Sequence, residues 1–83
     1  MTIYIKCIGF NDFASAEVSI RNSNKGFKIA TLTKVTRISK RKFYDQPEHL
    51  RFRLSVLREG YEVHEIGMGD FFDRLEGCYN GQD

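Results

Sequence analysis

The chain predicts a mainly β (α+β) fold: about five antiparallel strands in a small barrel or curved sheet, followed by one short C-terminal helix. Three observations lead there. Apolar and polar residues alternate in five separate runs, the period-two signature of strands. A Gly-closed turn, Asn22-Ser23-Asn24-Lys25-Gly26, separates two of those runs. The period lengthens to about four only after Met68. An open sheet with the helix packed on one face satisfies the same pattern.

In order along the chain, Ile3, Ile5 and Cys7 alternate with Tyr4, Lys6 and Ile8. Both faces of that strand are substantially apolar, which predicts an internal position in the sheet. Asn11-Asp12 reads as a turn. Ala16, Val18 and Ile20 then alternate with Glu17, Ser19 and Arg21. In the next turn, Gly26 can adopt the positive φ that closes a type I turn with a bulge. Residues 27–38 form the longest strand candidate. Ala30 and Leu32 share one parity while Val35 has the other, so a bulge or bend is predicted between them. Residues 39–49 show neither period, and Pro47 opposes a continuous helix, so this stretch reads as a long loop. Leu50, Phe52, Leu54 and Val56 alternate with Arg51, Arg53 and Ser55 in the cleanest amphipathic strand. Glu59-Gly60 turns the chain, and residues 61–66 return as the hairpin partner. From Met68 to Tyr79, the pairs Phe71/Leu75 and Met68/Phe72 stack apolar groups at helical spacing. Asp70 is the predicted N-cap, Asp73 adds charge to the first turn, and Gly77 is the predicted stop, leaving two turns at most.

A chain of 83 residues makes one domain with a small core, burying roughly 60–65% of its unfolded surface. Hydrophobic residues make up 41% of it, enough to exclude a disordered chain. Cys7, set in an apolar alternation, reads as a buried small hydrophobe rather than half of a bridge to Cys78. Two Cys with two separated His make no metal-ligand pattern, and no cofactor motif is present. No run approaches the roughly 20 apolar residues of a membrane span, and no signal-peptide stretch opens the chain, so a cytoplasmic protein is expected.

Charge is sorted along the chain. Residues 1–58 carry twelve Lys and Arg against four acids, a net of +8, whereas residues 59–83 carry one base, Arg74, against seven acids, a net of −6. The overall +2 therefore conceals two opposed surfaces. Lys40, Arg41, Lys42, Arg51 and Arg53, interleaved with Phe43 and Tyr44, have the composition of a nucleic-acid contact, in which cations release phosphate counterions and rings stack on unpaired bases. The same residues equally suit a solvated loop and a charged strand protected from aggregation. Glu62, Asp70 and Asp73 mark an acidic face that can compete with nucleic acid for a basic groove on another protein. Alternatively, such acids neutralise the basic strand, with Arg53 opposite Glu65 in one hairpin register. His49 and His64 admit a metal-free nuclease reading only if the hairpin brings them together. Phe10 and Phe13 are assigned to the core.

In size and make-up the chain is similar to the small inhibitors that phages encode against host defence complexes, anti-CRISPR proteins among them. That likeness is one of class and length, and it transfers no residue. The expected activity is non-catalytic: binding of a larger protein or ribonucleoprotein through charged faces, as an inhibitor or regulator. Direct RNA or DNA binding by the basic stretch 34–53 is the alternative. A homodimer formed by sheet extension is also compatible with the sequence.

Overall fold

The computed structural model describes residues 1–8, 12–55, 61–64 and 69–81. Five strands, β1 (Thr2–Cys7), β2 (Phe13–Asn22), β3 (Lys28–Ile38), β4 (Arg51–Leu54) and β5 (Glu62–His64), form one sheet in the order β4-β1-β2-β3-β5. The sheet curves into a half-barrel. Among the described residues it is accompanied by helices α1 (Lys40–Tyr44) and α2 (Gly69–Gly81) and a 3-10 turn at Glu48–Leu50.

The first three strands make an antiparallel meander. Its tight turn is closed by Gly26 at φ 87°, with the Gly26 amide donating to the Ser23 carbonyl at 3.2 Å and the Ser23 amide to Phe27 at 2.8 Å. The parity change in β3 is a bulge. Ser15 pairs with Thr36 and Glu17 with Thr33, so Ala16 faces both Lys34 and Val35. Lys34 takes up the extra residue at φ 54°, the left-handed conformation that glycine more often supplies. Val35 consequently packs on the same core as Ala30 and Leu32 despite its opposite parity.

The inner face carries Ile3, Ile5, Ala16, Val18, Ala30, Leu32, Phe52, Leu54 and Val63, and α2 closes it with Phe71, Phe72 and Leu75. A Lys28–Glu76 ion pair at 2.6 Å ties α2 to β3. On the outer face the Thr2 hydroxyl donates to the Glu17 carboxylate. That bond, more than the nearby ammonium of Met1, holds the Glu17 carboxyl below the ordinary carboxylate range against the opposing effect of desolvation. Both cysteines are free, with Cys7 buried and Cys78 half-buried.

Four expectations are corrected. First, the sheet is mixed rather than wholly antiparallel, because β4 runs parallel to β1, pairing Tyr4 with Arg51 and Cys7 with Leu54. Second, β4 and β5 do not form a hairpin. They occupy opposite edges, β5 pairing antiparallel with β3, so Arg53 has no cross-strand partner on the β5 side. Third, the stretch 39–49 is not a loop throughout. Ser39 caps α1, its Oγ accepting from the Lys42 amide at 3.1 Å, and Pro47 heads the 3-10 turn, where its missing N–H costs nothing. Fourth, α2 spans 13 residues rather than two turns. Asp70 is its second residue and not its cap, and Gly77 lies inside it. Phe10, Val56, Arg58, the Glu59-Gly60 turn, Glu65 and Ile66 lie outside the described residues, as do Gly67 and Met68.

Gly77 is exposed, and a Cβ placed there meets no atom within 4 Å. Gly77→Ala is therefore expected to stabilise the fold by about 1 kcal/mol, the difference in helix propensity. A thermal melt should show a rise of roughly 4–8 °C; an unchanged or lower midpoint would contradict the packing of α2 described here.

Candidate nucleic-acid interface

The functional candidates gather where the outer sheet face meets the β4 edge. Ile38 ends β3 opposite Phe13, and the chain then turns through Ser39 into α1. This lays α1 across the outer face, where Phe43 packs on Phe13 with ring centroids 4.9 Å apart. Phe43 is 4% exposed and anchors the helix, while its neighbour Tyr44 remains 46% exposed. The Tyr44 ring is nonetheless held, edge-on to Phe43 at 4.9 Å and to Phe13 at 5.9 Å. Phe13 is thus buried as expected, but in an outer cluster of its own rather than the inner core.

The 3-10 turn delivers the chain into β4. In the parallel register Arg51 lies beside Tyr4 and Arg53 beside Lys6, so the two arginines and Lys6 project from the outer face while Phe52 and Leu54 point inward. The Arg51 guanidinium sits over both rings of α1, 5.4 Å from the Tyr44 centroid and 5.8 Å from that of Phe43. Such cation–π contacts fix the direction of a side chain that is otherwise flexible. Lys6, Arg51 and Arg53, with Phe43 and Tyr44, line an open groove of about 910 Å³ that also takes in Glu48, His49, Phe52, Phe71 and Arg74. Four cations face a single carboxylate there.

Arg74 enters this groove from α2 with one of its terminal nitrogens already engaged. One terminal nitrogen (Nη2) reaches the carbonyls of Arg51 at 2.8 Å, Glu48 at 3.2 Å and His49 at 3.4 Å. Its guanidinium lies 4.4 Å from the Phe52 ring centroid. It braces the groove wall. The Cys78 thiol adds a weaker contact to the His49 carbonyl at 3.4 Å.

The structure divides the residues singled out from sequence. Phe43, Tyr44, Arg51 and Arg53 come together. Lys40 lies in a separate hollow beside the Arg37–Asp12 ion pair, which measures 3.1 Å. Arg41 and Lys42 are exposed on α1. Of the acids, Glu62 is on β5 at the far edge and is paired with Arg21 at 2.5 Å across β3, while Asp73 is exposed on α2 and Asp70 stands in its first turn. Glu62 therefore neutralises a base, as Glu76 does Lys28, but each with a partner other than the one the hairpin register suggested. His49 adjoins β4 whereas His64 is on β5, so the fold places the two on elements at opposite sheet edges rather than across one hairpin.

Lys6 and Arg74 were missed by the sequence reading. Lys6 belongs to the groove only through the non-local β1–β4 pairing. Arg74, the sole base among the last 25 residues, was a visible anomaly whose role depends on where α2 docks. Comparison with known proteins yields no match for this chain, whether to family models, curated proteins or solved structures.

Proposed function

We propose that this chain is a small non-catalytic interaction protein whose contact surface is the β4-edge groove, and that it binds the nucleic-acid component of a larger ribonucleoprotein as a regulator or inhibitor. One observation carries this reading. Among the described residues, Lys6, Arg51 and Arg53 stand in one aromatic-lined groove and form no ion pair with a carboxylate, whereas Arg21, Lys28 and Arg37 are each paired. Unpaired cations on a shared concave surface are what a polyanion can exploit through counterion release. The regulatory or inhibitory part of the proposal draws on small size and likeness of make-up to phage anti-defence inhibitors.

The test is fluorescence anisotropy with short RNA and DNA across a salt series. Binding is expected to weaken steeply with salt. Lys6→Ala with Arg53→Ala should flatten the log–log slope by about 0.7 per lost contact on a single strand. Charge reversal of the same pair should weaken binding on the order of a hundredfold at low salt. If wild-type protein binds no nucleic acid at low salt, the proposal fails, and the exposed acids Glu62 and Asp73 become the surface to examine.

A further inference from the structure

We infer that the groove is a site for an unpaired nucleotide, with Tyr44 as the stacking platform for a base and Arg51 as the fork for its phosphate. The protein should therefore prefer single strands to duplexes. This inference rests on the basic-groove reading above and names the ligand class more narrowly.

Three features of the site point to it. Tyr44 is a half-exposed ring that cannot easily turn aside, because Phe13 and Phe43 hold it edge-on. An exposed aromatic already fixed in place loses little conformational freedom when a base stacks on it. Arg51 is also prearranged over the rings, yet its Nε is shut off from solvent with no hydrogen-bond acceptor. With Nε shut in, the terminal nitrogens are the part of the guanidinium that an incoming anion can meet. A planar guanidinium held in one orientation suits bidentate contact with a phosphate. Lys6 and Arg53, neighbours in the parallel register, extend the positive surface on the same face.

The fold also disfavours a duplex here. Direct readout of B-DNA places a helix or a two-stranded ribbon in a major groove about 12 Å wide. Helix α1 has only five residues and lies against the sheet through Phe43, and β4 has four and is paired to β1. A ring can stack only on a base that is not already stacked within a helix, so Tyr44 offers a duplex no stacking.

The experiment compares labelled ten-nucleotide dT and U strands, a ten-base-pair duplex and poly-glutamate, using the full chain. Single strands should bind roughly tenfold or more tightly than the duplex or poly-glutamate. Tyr44→Ala should weaken single-strand binding roughly five- to a hundredfold while leaving the salt slope unchanged, and Tyr44→Phe should retain binding. Should Tyr44→Ala lose its native circular dichroism, Arg51→Lys serves instead: it keeps the charge, so the slope should persist while affinity falls. Equal binding of duplex and strand, or a silent Tyr44→Ala, overturns the stacking site but leaves the basic groove standing. Poly-glutamate bound as tightly as the strands overturns the nucleic-acid assignment, and no oligonucleotide binding at all overturns both.

Discussion

Replacing Phe52 with alanine is expected to cost about 3–5 kcal/mol, the usual range for a buried aromatic truncated in a core. Phe52 is 2% exposed and meets Phe71 of α2 edge-on at 5.6 Å, with Arg74 against it at 4.4 Å. A domain of this size has roughly 4–12 kcal/mol in total, so much of its stability would go with one side chain. The effect should be especially damaging because β4 is a four-residue edge strand whose only strand partner among the described residues is β1. Urea unfolding measures it: the midpoint should fall sharply, and Phe52→Leu should recover most of the loss. A shift worth less than about 1 kcal/mol would mean that β4 does not depend on this contact.

Arg74→Ala is the second large effect. Three carbonyls share its Nη2 donor, and the guanidinium also covers Phe52. Charged hydrogen bonds of this kind contribute roughly 1.5–3 kcal/mol, and solvent exposure of Arg74 puts the expected loss near the lower end, at about 1–2 kcal/mol. Arg74→Lys should fail to restore it, since an ammonium lacks both the planar fork and the stacking face. Full recovery by lysine in urea unfolding would reduce the role of Arg74 to charge alone.

Local patterns made much of this fold readable. Alternation located β1 to β3, Gly26 marked their tight turn, and the parity of Val35 disclosed the bulge before its position at Lys34 was visible. What escaped were features decided by distant partners. The alternation of Phe52 and Leu54 suits any neighbour with an apolar inner face, so it points as readily to a hairpin with β5 as to the parallel pairing with β1. Helix α1, at five residues, is too short to display a period, so its stretch reads as loop. Gly77 reads locally as a stop, but burial of Phe71, Phe72 and Leu75 outweighs its cost of about 1 kcal/mol. The site was legible to the same degree. Its rings and arginines are contiguous enough to notice, whereas Lys6 and Arg74 arrive only with the tertiary structure.

The order of the strands also implies an order of assembly. The β1–β2–β3 meander pairs neighbours along the chain, while Tyr4 must find Arg51 and Ile29 must find His64 before either edge is complete. Closing longer loops carries a larger entropic cost, so the meander is expected to form first and the two edge strands to attach last. Elements that attach late are commonly the first to open under native conditions. Arg51 and Arg53 ride on such an element and Lys6 on the framework beneath it. On that order the groove is expected to be a late product of folding, its persistence tied to β4's hold on β1.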